Sequence, residues 1–129
     1  MRERLTVNHL WAALCIVAAV SFTFRNQEAD MVTYEVRVEV EPYLAEAFQR
    51  YMQLKHIPEI LATGCFQAIA FEGAGDGHFR TRYQAANQMD LDHYLDRYTE
   101  TFRDDLKRNF PEGVNARRET WESLQEWGR

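Results

Sequence analysis

Cysteine, proline and glycine are all scarce in this chain: two, three and six among 129 residues. Cys15 and Cys65 lie in unlike surroundings and form neither C-x-x-C nor a Cys/His cluster, which excludes a disulfide scaffold and the standard zinc signatures. Excess basic charge is missing too. Fifteen Lys and Arg against twenty Asp and Glu leave a net charge of -5, so the electrostatic footprint of a nucleic-acid binder is lacking and no nucleic acid is expected as partner. No G-x-G-x-x-G, P-loop, G-x-S-x-G or H-E-x-x-H occurs. Nucleotide binding and the common hydrolase mechanisms therefore have no carrier, and neither a metal nor a cofactor is expected. What is present, 46% hydrophobic and 27% charged residues, suits one small domain with a single core.

Composition changes sharply near residue 30. Residues 5–24 carry no Asp, Glu, Lys or Arg, and Leu10 to Phe22 is almost wholly apolar behind Arg2 and Arg4. A basic start before an apolar run is the layout of a signal peptide or a single anchor, since such a helix covers roughly 30 Å of hydrocarbon. Thr6, Asn8, His9, Ser21 and Thr23 dilute it, however, and no A-x-A cleavage site follows. The preferred reading takes Met31 as the true start and residues 1–30 as an over-extension. The protein is then expected in the cytoplasm; a retained segment would make it membrane-anchored or exported.

Residues 31–129 read as one domain. Val32, Tyr34, Val36, Val38 and Val40 alternate with Thr33, Glu35, Arg37 and Glu39, the period of a strand with one apolar face. Pro42 opens a helical pattern through Leu44, Ala47, Phe48, Tyr51 and Leu54; Pro58 then implies a kink or a second short helix, stopped at Gly64. Cys65 to Phe71 and Phe79 to Ala85 read as a hairpin around Gly73-Ala74-Gly75-Asp76-Gly77. Asp90 is expected to cap a helix bearing Leu91, Tyr94, Leu95, Tyr98, Phe102 and Leu106, and Val114 to Leu124 supplies a fourth strand.

The order β-α-β-β-α-β is the α+β, ferredoxin-like arrangement, a four-stranded antiparallel sheet with two helices on one face. Its other face would carry Glu35, Arg37 and Glu39 and, if Phe79, Thr81 and Tyr83 turn to the helices, Arg80 and Arg82. That face is too polar for a dry core. It is left to water or to a second copy, so a homodimer closing an α/β barrel is the expected assembly.

The run His56-Ile57-Pro58-Glu59-Ile60-Leu61-Ala62-Thr63-Gly64-Cys65-Phe66, after the strand VTYEVRVEV, resembles the domain-of-unknown-function family numbered 4286. The resemblance covers residues 31 to about 124. It implies a place in the dimeric α/β-barrel group, whose relatives include small monooxygenases, isomerases and ligand sensors, and it assigns no catalytic residue.

Two clusters could carry chemistry. His56 and Glu59 are three apart, within reach on a helix, so the carboxylate could fix the imidazole tautomer for general acid or base work. The plainer account has His56 answering a carbonyl freed by Pro58 and Glu59 favouring a helix start. Arg37, Arg80 and Arg82, with Glu35, could hold a small anionic ligand, or could be a salt-bridge network between subunits. Tyr34, Tyr51, Tyr83, Tyr94 and Tyr98 read as packing residues, Asp104 and Asp105 as a solvated helix face, Trp121 and Trp127 as a barrel edge or dimer contact, and Cys65 as a small buried hydrophobe.

The leading functional expectation is a non-catalytic dimerisation or interaction module. The alternative is a small-molecule-binding barrel, a sensor or a cofactor-free enzyme of monooxygenase or isomerase type, acting on a small anionic or aromatic ligand. An RNA-recognition domain shares the element order but needs exposed aromatics and basic charge on its middle strands. Thr33, Glu35, Arg37 and Glu39 supply neither.

Overall fold

The computed structural model describes residues 30–128. The apolar segment and Cys15 lie outside the described residues, and so does every expectation attached to them. Among the described residues no helix is long and apolar enough to cross a membrane.

The sheet is built on β1 (Val32–Val40), whose alternating valines bury one face. It pairs antiparallel with β3 (His78–Ala85) and β4 (Val114–Glu122), while β2 (Ala68–Gly75) lies outside β3. The resulting order β2-β3-β1-β4 is that of the ferredoxin-like fold. The β2–β3 hairpin turns at Gly75, Asp76 and Gly77, all with positive φ. Gly77 also has to be small, because a Cβ there would collide with the Val40 carbonyl oxygen. Cys65 and Phe66, expected to open β2, instead precede it as buried residues of the core, and the strand starts at Ala68.

The first crossover is one continuous helical run: a 3-10 turn (Pro42–Leu44), α1 (Ala45–Tyr51), a π-helical stretch (Met52–His56) and α2 (Ile57–Leu61). Pro58 lacks an N–H and its ring crowds the carbonyl four residues back. The wider π turn ahead of it absorbs that conflict, so Pro58 sits in the first turn of a short second helix. The second crossover, expected as one helix, is two: α3 (Gln88–Arg97) and α4 (Thr99–Asn109). They part at Tyr98, whose φ of -122° lies outside the helical range, where an aromatic and a β-branched residue, both weak helix formers, follow one another. Asn87, not Asp90, caps α3, its side chain accepting the Asp90 N–H at 2.8 Å.

Two apolar clusters fill the space between sheet and helices. Tyr34, Tyr83, Ile60, Leu91 and Tyr94 form one, and Val38, Val40, Phe48 and Met52 the other. Phe48, Ile60 and Leu91 are almost fully enclosed, each contributing roughly 1.5–3 kcal/mol by burial. Val36 packs against both clusters, and the narrow space left at their junction is where the candidate site lies.

Candidate functional site

His56 ends the π-helical stretch and is 8% exposed. π turns are rare and often occur at functional sites; here the widened turn accompanies an imidazole set into the interior. Its Nδ1 lies 3.3 Å from the Tyr51 hydroxyl, and that hydroxyl donates its only proton to Asp105 Oδ2 at 2.6 Å. With the proton committed, the Tyr51 oxygen can only accept, so Nδ1 carries the imidazole hydrogen and Nε2 keeps its lone pair. Lys55 anchors the far end, donating to Asp105 at 2.8 Å.

The electrostatics keep the ring neutral. Burial pushes His56 down to about 4, which keeps the ring neutral near pH 7. Hydrogen bonds from Lys55, then Tyr51, hold Asp105 down to about 2. Burial raises Tyr51, and its bond to the Asp105 carboxylate adds to the effect. A charged carboxylate, a neutral phenol and a neutral imidazole thus stand in line.

Nε2 has no protein partner among the described residues, and no buried side-chain nitrogen or oxygen is left unpartnered. That nitrogen is therefore open rather than sealed. His56 lines a cavity of about 40 Å³ bounded also by Tyr34, Val36, Met52, Tyr83, Tyr94 and Phe102, with Arg103 and Arg118 on its wall. By volume the space takes about three water molecules, or the end of a small organic ligand. Tyr94, pushed up to about 12 by burial, and Tyr83, raised by the same cause, stay protonated.

Glu59 is not the partner of His56: it pairs with Lys55 at 3.1 Å on the exposed side of the helix. The structure puts Glu35, Arg37, Arg80 and Arg82 together on the opposite face of the sheet from His56. Arg37 donates to Glu35 at 2.6 Å, while Arg80 and Arg82 each reach Glu72 at 3.1 Å. Each expected arginine thus has a carboxylate, and Glu35 is buried although its face is open. Register sets Arg80, Arg37 and Arg117 side by side on β3, β1 and β4. They line an open concavity of about 850 Å³ with Glu39, Glu72 and His78.

Residues 31–124 match the family described as Domain of unknown function (DUF4286). The chain belongs to this family. No curated protein matches it. Among solved structures, the DUF4286 chain is similar to SnoaB, a cofactor-independent oxygenase from Streptomyces nogalater, at 13% identity and a TM-score of 0.60, covering 78% of this chain and 100% of that one. It is similar to NE2512, a protein of unknown function from Nitrosomonas europaea, at 16% identity and a TM-score of 0.59, over 78% and 96% of the two chains. Rv0793 from Mycobacterium tuberculosis follows at 17% identity and a TM-score of 0.55, over 76% and 99%. At these identities the likeness is one of fold, the ferredoxin-like unit of dimeric α/β-barrel type.

Four residues of the DUF4286 chain's two faces escaped the sequence reading. Asp105 looked like part of a solvated acidic helix face, yet it bridges Tyr51, Lys55 and Arg108. Arg103 was hidden because helical periodicity assigned its face to solvent. Arg117 and Arg118 were hidden by the weak alternation of β4. Pairing of Arg118 with Val36 turns that arginine to the helix side, and pairing of Arg117 with Arg37 turns the other to the open side. The one available signal was register: Val38 opposite Ala116 and Val40 opposite Val114 fix the phase of β4.

Proposed function

We propose that this protein is a homodimeric small-molecule-binding protein that carries out cofactor-free proton transfer at His56. The observation that carries the reading is the Asp105–Tyr51–His56 chain, which leaves Nε2 as an unprotonated acceptor in a cavity between helices and sheet. A ligand with an acidic proton, such as an enol, a phenol or an enolisable carbonyl compound, would hand that proton to Nε2. The imidazolium formed would lie near the negative charge it created, and the Asp105 carboxylate behind Tyr51 would favour it further. Glu59, paired with Lys55, would act only at longer range.

The assembly reading rests on the other face. Glu35 pairs with Arg37 along β1 and Glu72 with Arg80 and Arg82 across neighbouring strands, a pattern that a two-fold copy can complement, and half-exposed Trp121 lies on the same face. In this account Arg37, Arg80, Arg82 and Glu35 serve the subunit contact. The interaction-module reading survives if the dimer forms and the cavity stays empty.

Phenol and acetylacetone are suitable probes. Each is expected to shift the His56 imidazole resonances of full-length protein at millimolar concentration, with the shifts lost in His56→Phe while the dimer persists. No response from either probe in a protein shown to be dimeric would return the interaction module to first place.

A further inference from the structure

The two arginines on the cavity wall point to the substrate class. Arg103 comes from α4 and donates to the Tyr34 hydroxyl at 3.1 Å. Arg118 comes from β4, paired with Val36 on the helix-facing side of the sheet. Both line the His56 cavity. Their charges reach the tyrosines beneath it: Arg103 acts to lower the pKa of Tyr94 and Arg118 that of Tyr83, in each case against the larger effect of burial. Among the described residues neither guanidinium has a carboxylate within salt-bridge distance, a state they share with Arg50, Arg97 and Arg117 but combine, unlike those, with a place on this cavity.

Arg103 and Arg118 are exposed at the rim, and two guanidinium groups without carboxylates beside a tyrosine-lined cavity suit an anion. Burial holds Tyr83 and Tyr94 protonated, so they cannot neutralise the guanidinium groups, and Glu59 and Asp105 are engaged by Lys55. Space bounds the anion. A cavity of about 40 Å³ admits only a few atoms beyond the charged head. A planar carboxylate suits a guanidinium fork better than a spherical ion does.

We infer that the ligand of this site is a short-chain carboxylic acid, its carboxylate held by Arg103 and Arg118 and its remaining atoms directed toward His56 Nε2. The inference rests on the His56 cavity being the ligand site, and it adds the charge and length of the ligand. A 2-oxo or 3-oxo acid meets both demands. It carries a carboxylate for the arginines and an acidic C–H for Nε2; the proton moves from carbon to nitrogen, and the electron pair stays on the ligand as an enolate beside the guanidinium groups.

The test compares pyruvate with its neutral isostere pyruvamide in the full chain, with binding read from the His56 imidazole resonances. Pyruvate is expected to bind at least about tenfold more tightly, and Arg103→Met or Arg118→Met to remove that advantage while changing pyruvamide affinity less than about twofold. Retained pyruvamide binding also shows that each variant is folded. Arg103→Lys is expected to recover part of the loss. Equal affinity for pyruvate and pyruvamide in the unaltered protein would overturn the carboxylate assignment and leave the cavity reading standing. Absence of any shift with pyruvate, pyruvamide, phenol and acetylacetone would overturn both.

Discussion

Tyr51 and Asp105 are 54 residues apart in sequence, yet the phenol donates to the carboxylate at 2.6 Å. This contact ties the first helical crossover to the second and fixes what the Tyr51 oxygen can offer His56. Its short length reflects an ionised acceptor in a partly enclosed place.

Tyr51→Phe is expected to cost about 1 kcal/mol of stability, the net worth of one such bond. Asp105→Ala should cost more, about 1–3 kcal/mol, because it leaves the Tyr51 hydroxyl and the Lys55 ammonium facing an empty position. Urea unfolding of the two variants checks the order. A Tyr51→Phe midpoint lower than that of Asp105→Ala would contradict it.

Stability should fall on the acid side in two steps. His56 sits at about 4 when folded against an ordinary 6.5, so between these values the unfolded chain binds a proton that the folded chain does not. Its contribution is complete above pH 6.5 and is lost on descending to pH 4, by up to roughly 3 kcal/mol. Asp105, at about 2 against 3.8, adds a step lost as pH falls from about 4 toward 2. Melting temperatures from pH 7 to 2 should show both in the unaltered protein. In His56→Phe the upper step should vanish and the lower one remain.

Gly77→Ala is expected to destabilise by several kcal/mol, since the methyl group meets the Val40 carbonyl and positive φ is denied to it. Gly75→Ala, where nothing lies within 4 Å, carries the backbone penalty alone. Comparing the two by thermal unfolding separates collision from strain, and equal losses would show that the Val40 approach does not matter.

Arg80→Ala should weaken self-association by about tenfold or more if the sheet face is the subunit contact, because it removes one of two cations from Glu72. Sedimentation velocity across a dilution series measures this. An unchanged dimer would remove Arg80 from the interface and make the open concavity available for an anionic ligand instead.

Much of the fold was legible because β1 is so regular: five apolar residues at every second position set the sheet, and the hairpin glycines set its turn. The open-face charges followed from the same alternation, once Thr81 and Tyr83 proved buried. The break at Tyr98 was not legible, because the apolar stripe from Leu91 to Leu106 runs across it without a missed turn. For the site, His56 could be singled out by residue type, but its partner could not. Local spacing favoured Glu59, three residues away, whereas the actual neighbours are Tyr51, across one π-widened turn, and Asp105 from a helix that only tertiary packing brings near. Long-range pairs of this sort leave no periodic trace in a single chain.

The most direct measurement is the pH titration of the His56 imidazole by long-range nitrogen–proton correlation spectroscopy on the full-length protein. A neutral ring protonated at Nδ1 at pH 7, titrating near 4 and changing tautomer in Tyr51→Phe, is the result this account requires. A ring protonated at Nε2, or one that titrates like a free histidine, would contradict it.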